Sequence, residues 1–239
     1  MYRLLAPLVI VFVILMCTIS GQTYAQTTEP SEDKWDNIMY LTNKVGWGED
    51  KWRHTLLFQS RYNNNFAGLE QWFVEYAATY LITEHFEIVP DLRFTRRPDR
   101  REIRPGMGII YKNLFEKAQL VHQLKWQYDF KGNGAVDSHA LRYAIFYNQV
   151  LSEKIIGSFI AGGLYEWGEA FTGIWGVRAG PSVSYVFNKQ HLLNVGYLYG
   201  LVNTKEEPTR WTNAGILTLS LSINIRKDFT YLPAKYINF

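Results

Sequence analysis

Residues 214–226 read Ala-Gly-Ile-Leu-Thr-Leu-Ser-Leu-Ser-Ile-Asn-Ile-Arg. From Leu217 on, the odd positions are Leu217, Leu219, Leu221, Ile223 and Ile225, and the even ones are Thr218, Ser220, Ser222, Asn224 and Arg226. Strict alternation yields two chemically distinct faces only in a β-strand. The run is about twice the roughly 5–6 residues usual in soluble sheets. It is close to the 9–11 that a tilted strand needs to cross a membrane.

The same pattern recurs along the chain, and no good amphipathic helix lies between the repeats. In 117–131, Leu120, Leu124, Trp126, Tyr128 and Phe130 oppose Gln119, Gln123, Lys125, Gln127 and Asp129. In 86–97, Phe86, Ile88, Pro90, Leu92 and Phe94 oppose Glu87, Asp91, Arg93, Thr95 and Arg97. In 51–62, Trp52, His54, Leu56 and Phe58 oppose Arg53, Thr55, Gln59 and Arg61. In 69–82, Trp72, Val74, Tyr76, Ala78 and Tyr80 oppose Gln71, Glu75 and Thr79. Segments 102–112, 138–149, 172–187 and 191–202 follow suit, with Arg142 and Arg178 on the polar side and Trp175 on the apolar side. Segment 35–45 alternates poorly, and 155–167 is apolar on both sides. Turn residues separate the segments: Asn63-Asn64-Asn65, Pro98-Asp99-Arg100, Gly132-Asn133-Gly134 and Asn188-Lys189-Gln190. About eleven strands result, and residues 229–239 are a candidate twelfth. Short connections make the sheet up-and-down and antiparallel.

The polar faces carry both charge signs among Gln, Ser, Thr, Asn and Gly, which suits a confined lumen where acids and bases pair. Turning Lys125, Arg142 or Arg178 toward lipid would cost up to roughly 2–4 kcal/mol each at the midplane, and Glu75 less. A few such errors approach a stability margin of about 5–15 kcal/mol. The charged residues therefore point inward if a membrane is involved. Lipid offers no partner to an open sheet edge, so the sheet must close. The expected fold is all-β: a closed antiparallel up-and-down transmembrane β-barrel of about 10–12 strands. The alternative is a secreted soluble β-sandwich or barrel that binds a ligand. Trp47, Trp52, Trp72, Trp167 and Trp211 fall near strand ends, as aromatic girdles require. The tightest connections follow the first, third, fifth, seventh and ninth strands. Membrane barrels of this kind keep short turns and both termini on one side, so a first strand beginning at Trp35 sets these two rules in conflict, and the rule for the termini is preferred.

The N-terminus adds an export signal. Arg3 precedes an almost wholly apolar run, and Thr23-Tyr24-Ala25 places small residues where a signal peptidase reads. The organisation read is a signal peptide over 1–25, a flexible leader over 26–34 and one barrel over 35–239. The sole cysteine, Cys17, lies in the signal, so the mature chain has no disulfide or thiolate chemistry. A net charge of +3 without a basic run gives no nucleic-acid footprint.

Trp35-Asp36 with its alternating segment, the Lys51-Trp52 restart and Gln59-Ser60-Arg61-Tyr62 resemble a bacterial family described as domain of unknown function 2490. The resemblance covers about residues 35–226. It implies an outer-membrane-type barrel and no activity. Phe239 resembles the terminal aromatic that outer-membrane assembly machinery reads, although Pro233 and Lys235 interrupt the expected alternation.

Candidate chemistry is sparse. Asp137-Ser138-His139 groups suggestive residues, but neighbours on a strand point to opposite faces, so Ser138 and His139 cannot simply bond. No histidine spacing fits a metal site, and no cofactor is expected. Glu75, Glu87, Asp91, Arg93, Lys125, Asp129, Arg142 and Arg178 form the expected lumen charge network. The loop arginines Arg97, Arg100, Arg101 and Arg104, with Arg93 and Arg96, are either an anion site or a solvated cluster paired with Asp99 and Glu102. The second reading is preferred. The expected partners are outer-membrane lipid, the barrel assembly machinery and a small polar solute. A structural barrel or narrow channel is the first functional reading. A barrel enzyme acting on lipids through Ser138 or His139, and a receptor using its loops, are the others.

Overall fold

The computed structural model describes residues 35–188, 191–203 and 211–225. The expected signal peptide, leader and twelfth strand lie outside them. Eleven strands fill the described chain: β1 Trp35–Glu49, β2 Trp52–Asn63, β3 Gly68–Thr83, β4 Phe86–Arg96, β5 Arg101–Leu114, β6 Ala118–Lys131, β7 Ser138–Ser152, β8 Ile155–Gly168, β9 Gly173–Asn188, β10 His191–Asn203 and β11 Trp211–Asn224. At about 3.3 Å per residue and a tilt of about 35–45°, strands of 11–16 residues reach across a hydrocarbon core of about 30 Å.

Each strand pairs with its sequence neighbours, and β1 closes against β11. This closing pair is parallel, from Trp35↔Asn213 to Gly46↔Asn224. The sheet is therefore not antiparallel throughout. An up-and-down chain reverses at every turn, so an odd strand count leaves the first and last strands running the same way. For the same reason the start of β1 and the end of β11 lie at opposite ends of the barrel, and the termini themselves fall outside the described residues. Connections after β1, β3, β5 and β7 take two or three residues, and those after β2, β4, β6 and β8 take four to six. Trp35 starts at the end with the longer connections. Left-handed backbone at Asn64, Asn65, Asn133 and Gly134 explains the turn residues found there.

The two faces are inverted relative to a soluble protein. Outward Leu92, Ile103, Phe130, Phe159 and Val183 are about half exposed, whereas inward Lys125 and Glu87 are 0% exposed. Soluble surfaces rarely carry so large a continuous apolar area, and lipid accounts for it. Period two resolves β8, whose facing the sequence leaves open: Ser158, Ile160, Leu164 and Glu166 are the buried, inward set. At β9 a register shift opposite Leu164/Tyr165 passes over Trp175. Its ring comes within 5.9 Å of inward Arg178, which departs from the outward position that simple alternation assigns. The interior also contains an apolar cluster that alternation does not foresee, including Tyr40, Val89, Ile110, Val121, Phe146 and Ile216. These side chains fill part of the barrel that a uniformly polar lumen would leave to water.

Candidate functional site: the charged lumen

The inner wall of β2–β6, with Glu166 of β8, carries several groups of ion pairs. Register places Glu75 of β3 opposite Arg93 of β4, and Arg93 Nε donates to Glu75 Oε2 at 2.7 Å. Lys125 of β6 reaches past Gly106 of β5, its Nζ lying 2.6 Å from Asp91 Oδ1 and 3.7 Å from Glu75 Oε2. A Cβ at Gly106 would lie 2.7 Å from Lys125 Cε and 2.8 Å from Asp91 Oδ1, so any side chain there would push these two ends aside. Glu87 lies 2.7 Å from Lys112 Nζ and 3.8 Å from Arg53. Asp129 accepts from Arg104 Nε, and Arg104 also lies 3.7 Å from Glu102. Lys131 Nζ is 3.5 Å from Glu166. Charges this buried persist only when opposite charges and hydrogen bonds replace water.

Among the expected network residues, these ion pairs give Glu75, Glu87, Asp91, Arg93, Lys125 and Asp129 carboxylate or cation partners. Arg142 is buried on the inner face of β7, within electrostatic reach of Asp129 but also of Arg104, Arg93 and Arg61. Arg178 is buried on β9 with no carboxylate at ion-pair distance among the described residues. The network includes residues the sequence did not single out. Lys112 is one: extending period two from Glu102 and Arg104 places it inside, but apolar Ile110 interrupts the pattern. Arg53 and Glu166 lie near strand ends, where alternation is weakest.

The loop arginines divide. Arg97 lies 3.2 Å from Glu70 and 3.1 Å from Glu102, and Arg100 lies 2.8 Å from Glu102 and 2.7 Å from Asp99. Slight burial opposes ionisation of Asp99, but its own backbone amide and Arg100 outweigh it and hold the carboxyl below its usual range. Arg104 turns into the lumen, and Arg101 is exposed. Acids therefore occupy most of this cluster.

Ser138 and His139 fall on opposite faces. Ser138 is buried and its Oγ accepts from Lys131 Nζ at 2.8 Å. His139 stacks on Trp167 with ring centroids 5.5 Å apart, and Asp137 takes the Tyr128 hydroxyl at 3.0 Å. These three groups do not assemble into a nucleophile–base pair. His122, the irregular polar residue of an outward face, has its Nδ1 2.8 Å from the Tyr143 hydroxyl.

A family model described as protein of unknown function (DUF2490) matches residues 35–212. A search of curated proteins finds no match. Among solved structures, a NanC porin in a rhombohedral crystal form is similar over 75% of this chain and 93% of its own, with TM-score 0.50 and 7% identity. A KdgM porin is similar over 62% of this chain and 84% of its own, with TM-score 0.39 and 14% identity. At 7% identity the first similarity is one of fold alone.

Proposed function

The chain belongs to the DUF2490 family, and from the character of its lumen we propose that it is a non-enzymatic barrel of the bacterial outer membrane acting as a narrow, charge-paired conduit for small polar solutes. The observation that carries this is the inverted distribution of charge: ion pairs line the interior while large apolar side chains face out. About eight strands suffice for an interior filled by side chains and 16–18 leave an open aqueous channel. Eleven falls near the filled limit, and the side chains of Lys125, Asp91 and Glu87 have no exposure. Passage then needs side-chain rearrangement, and currents are small or intermittent.

Planar-bilayer recording tests this. Wild-type protein is expected to give brief, low-conductance openings. Arg142→Ala removes a long side chain from a region crowded with like charge and is expected to raise unit conductance severalfold. Silence from both proteins, each shown to be folded by a heat-modifiable gel shift, would overturn the conduit reading and favour a structural barrel, to which the tight interior also lends itself.

A further inference from the structure

Among the described residues, Arg61 and Arg178 are interior arginines with an unpartnered guanidinium nitrogen and no carboxylate at ion-pair distance. Arg61 of β2 is 4% exposed and Arg178 of β9 is 7% exposed. Arg61 Nε donates to Gln59 Oε1 at 2.8 Å, and Gln59 Nε2 donates to Thr42 Oγ1 at 2.7 Å. Arg61 Nη2 and Arg178 Nη1 are buried and have no hydrogen-bond partner. Neither arginine has a carboxylate at ion-pair distance among the described residues. Glu70 acts on Arg61 from farther away, but its carboxylate is already 3.2 Å from Arg97.

Aromatic rings hold the two arginines near each other. The Arg61 guanidinium carbon lies 4.3 Å from the Tyr40 ring centre, and that of Arg178 lies 5.7 Å from the same centre. Arg61 also lies 5.3 Å from the Phe73 ring centre, and that ring carries Arg93 at 3.9 Å. Glu75 neutralises Arg93, which leaves Arg61 and Arg178 beside these rings without a carboxylate at ion-pair distance among the described residues. A ring face offsets only part of the cost of burying a cation. Two desolvated cations sharing one ring also repel, and the charge of Arg178 acts on Arg61. An anion relieves both penalties.

We infer that Arg61 and Arg178 form a binding site for a small oxyanion, a carboxylate or phosphate group, received between their guanidinium forks beside Tyr40. The planar fork matches either group with two parallel hydrogen bonds. The site lies toward one mouth: Tyr40 is five residues into β1, Arg178 five into β9, and Arg61 two from the end of β2, all at the end with the longer connections. This deepens the conduit reading by giving that mouth a preference for anions, and rests on it only for how the anion arrives.

The test reads thermal stability, so it holds for a barrel that passes no current. Full-length protein in detergent is heated in chloride, acetate or phosphate at equal ionic strength, and the midpoint of the heat-modifiable gel shift is followed. Acetate or phosphate is expected to raise the wild-type midpoint above that in chloride, and the responding anion identifies the source as carboxylate or phosphate. The difference is expected to vanish in Arg61→Gln/Arg178→Gln and to persist in Arg101→Gln, which alters an exposed loop arginine. If the glutamine pair does not fold, Arg61→Lys/Arg178→Lys keeps the charge and loses the forks, and its response is expected to shrink. No anion dependence in wild type, or a full response in either double variant, would overturn the site.

Discussion

Lys125→Met is expected to lower the midpoint of the heat-modifiable transition sharply. Lys125 is wholly buried, and its ammonium group bridges Asp91 at 2.6 Å and Glu75 at 3.7 Å. Methionine fits the space but leaves two buried carboxylates sharing one fewer cation. Removing one partner of such a pair costs about 3–5 kcal/mol, whereas replacing both with apolar groups of similar size is often neutral. Lys125→Met/Asp91→Leu is therefore expected to recover most of the lost stability, and the non-additivity measures the coupling. An unchanged midpoint in Lys125→Met would mean that water reaches this layer and that the network is not a sealed interior.

Gly180→Ala is expected to block barrel assembly. Gly180 is the inward residue of β9 where its pairing with β10 is interrupted, between Gly196↔Ser182 and Tyr199↔Ala179. A Cβ there would overlap the Tyr197 carbonyl oxygen and lie 2.8 Å from Leu198 Cα. Overpacking costs about 1–3 kcal/mol when side chains can adjust. Here the obstacle is the neighbouring backbone, so relief requires separating two strands of a closed wall. Gly163→Ala is the matched control, because its Cβ would meet Val177 Cγ1 at 3.3 Å and the Gly176 carbonyl oxygen at 3.4 Å. The expected outcome is no heat-modifiable band for Gly180→Ala and a nearly normal one for Gly163→Ala.

The fold was legible wherever one face stayed apolar and the other polar. β6 and β11 alternate almost without exception, and the structure keeps their facing. Lys125 and Asp129 could be placed inside for that reason. β1 was less legible because its inner face carries Ile38 and Tyr40. Lys112 was obscured by Ile110, which belongs to an apolar cluster that no single strand reveals. The parallel seam depends on whether the strand count is odd or even, which turn counting leaves open while residues 229–239 remain a candidate strand. Arg61 was visible as a polar-face residue, and Arg178 as a lumen charge. Their shared ring was not, because Tyr40, Arg61 and Arg178 come from β1, β2 and β9. Only closure brings such distant segments to one ring.

In this barrel one face of every strand meets lipid while the other lines a charge-paired lumen. The only cysteine is Cys17, so single cysteines along β6 can be spin-labelled against a clean background in the Cys17→Ser protein reconstituted in bilayers. Labels at 120, 124, 126 and 130 are expected to collide freely with lipid-dissolved oxygen, and labels at 119, 121, 123 and 127 to be shielded from it. Equal accessibility at odd and even positions, or greater oxygen contact on the odd face, would contradict the account.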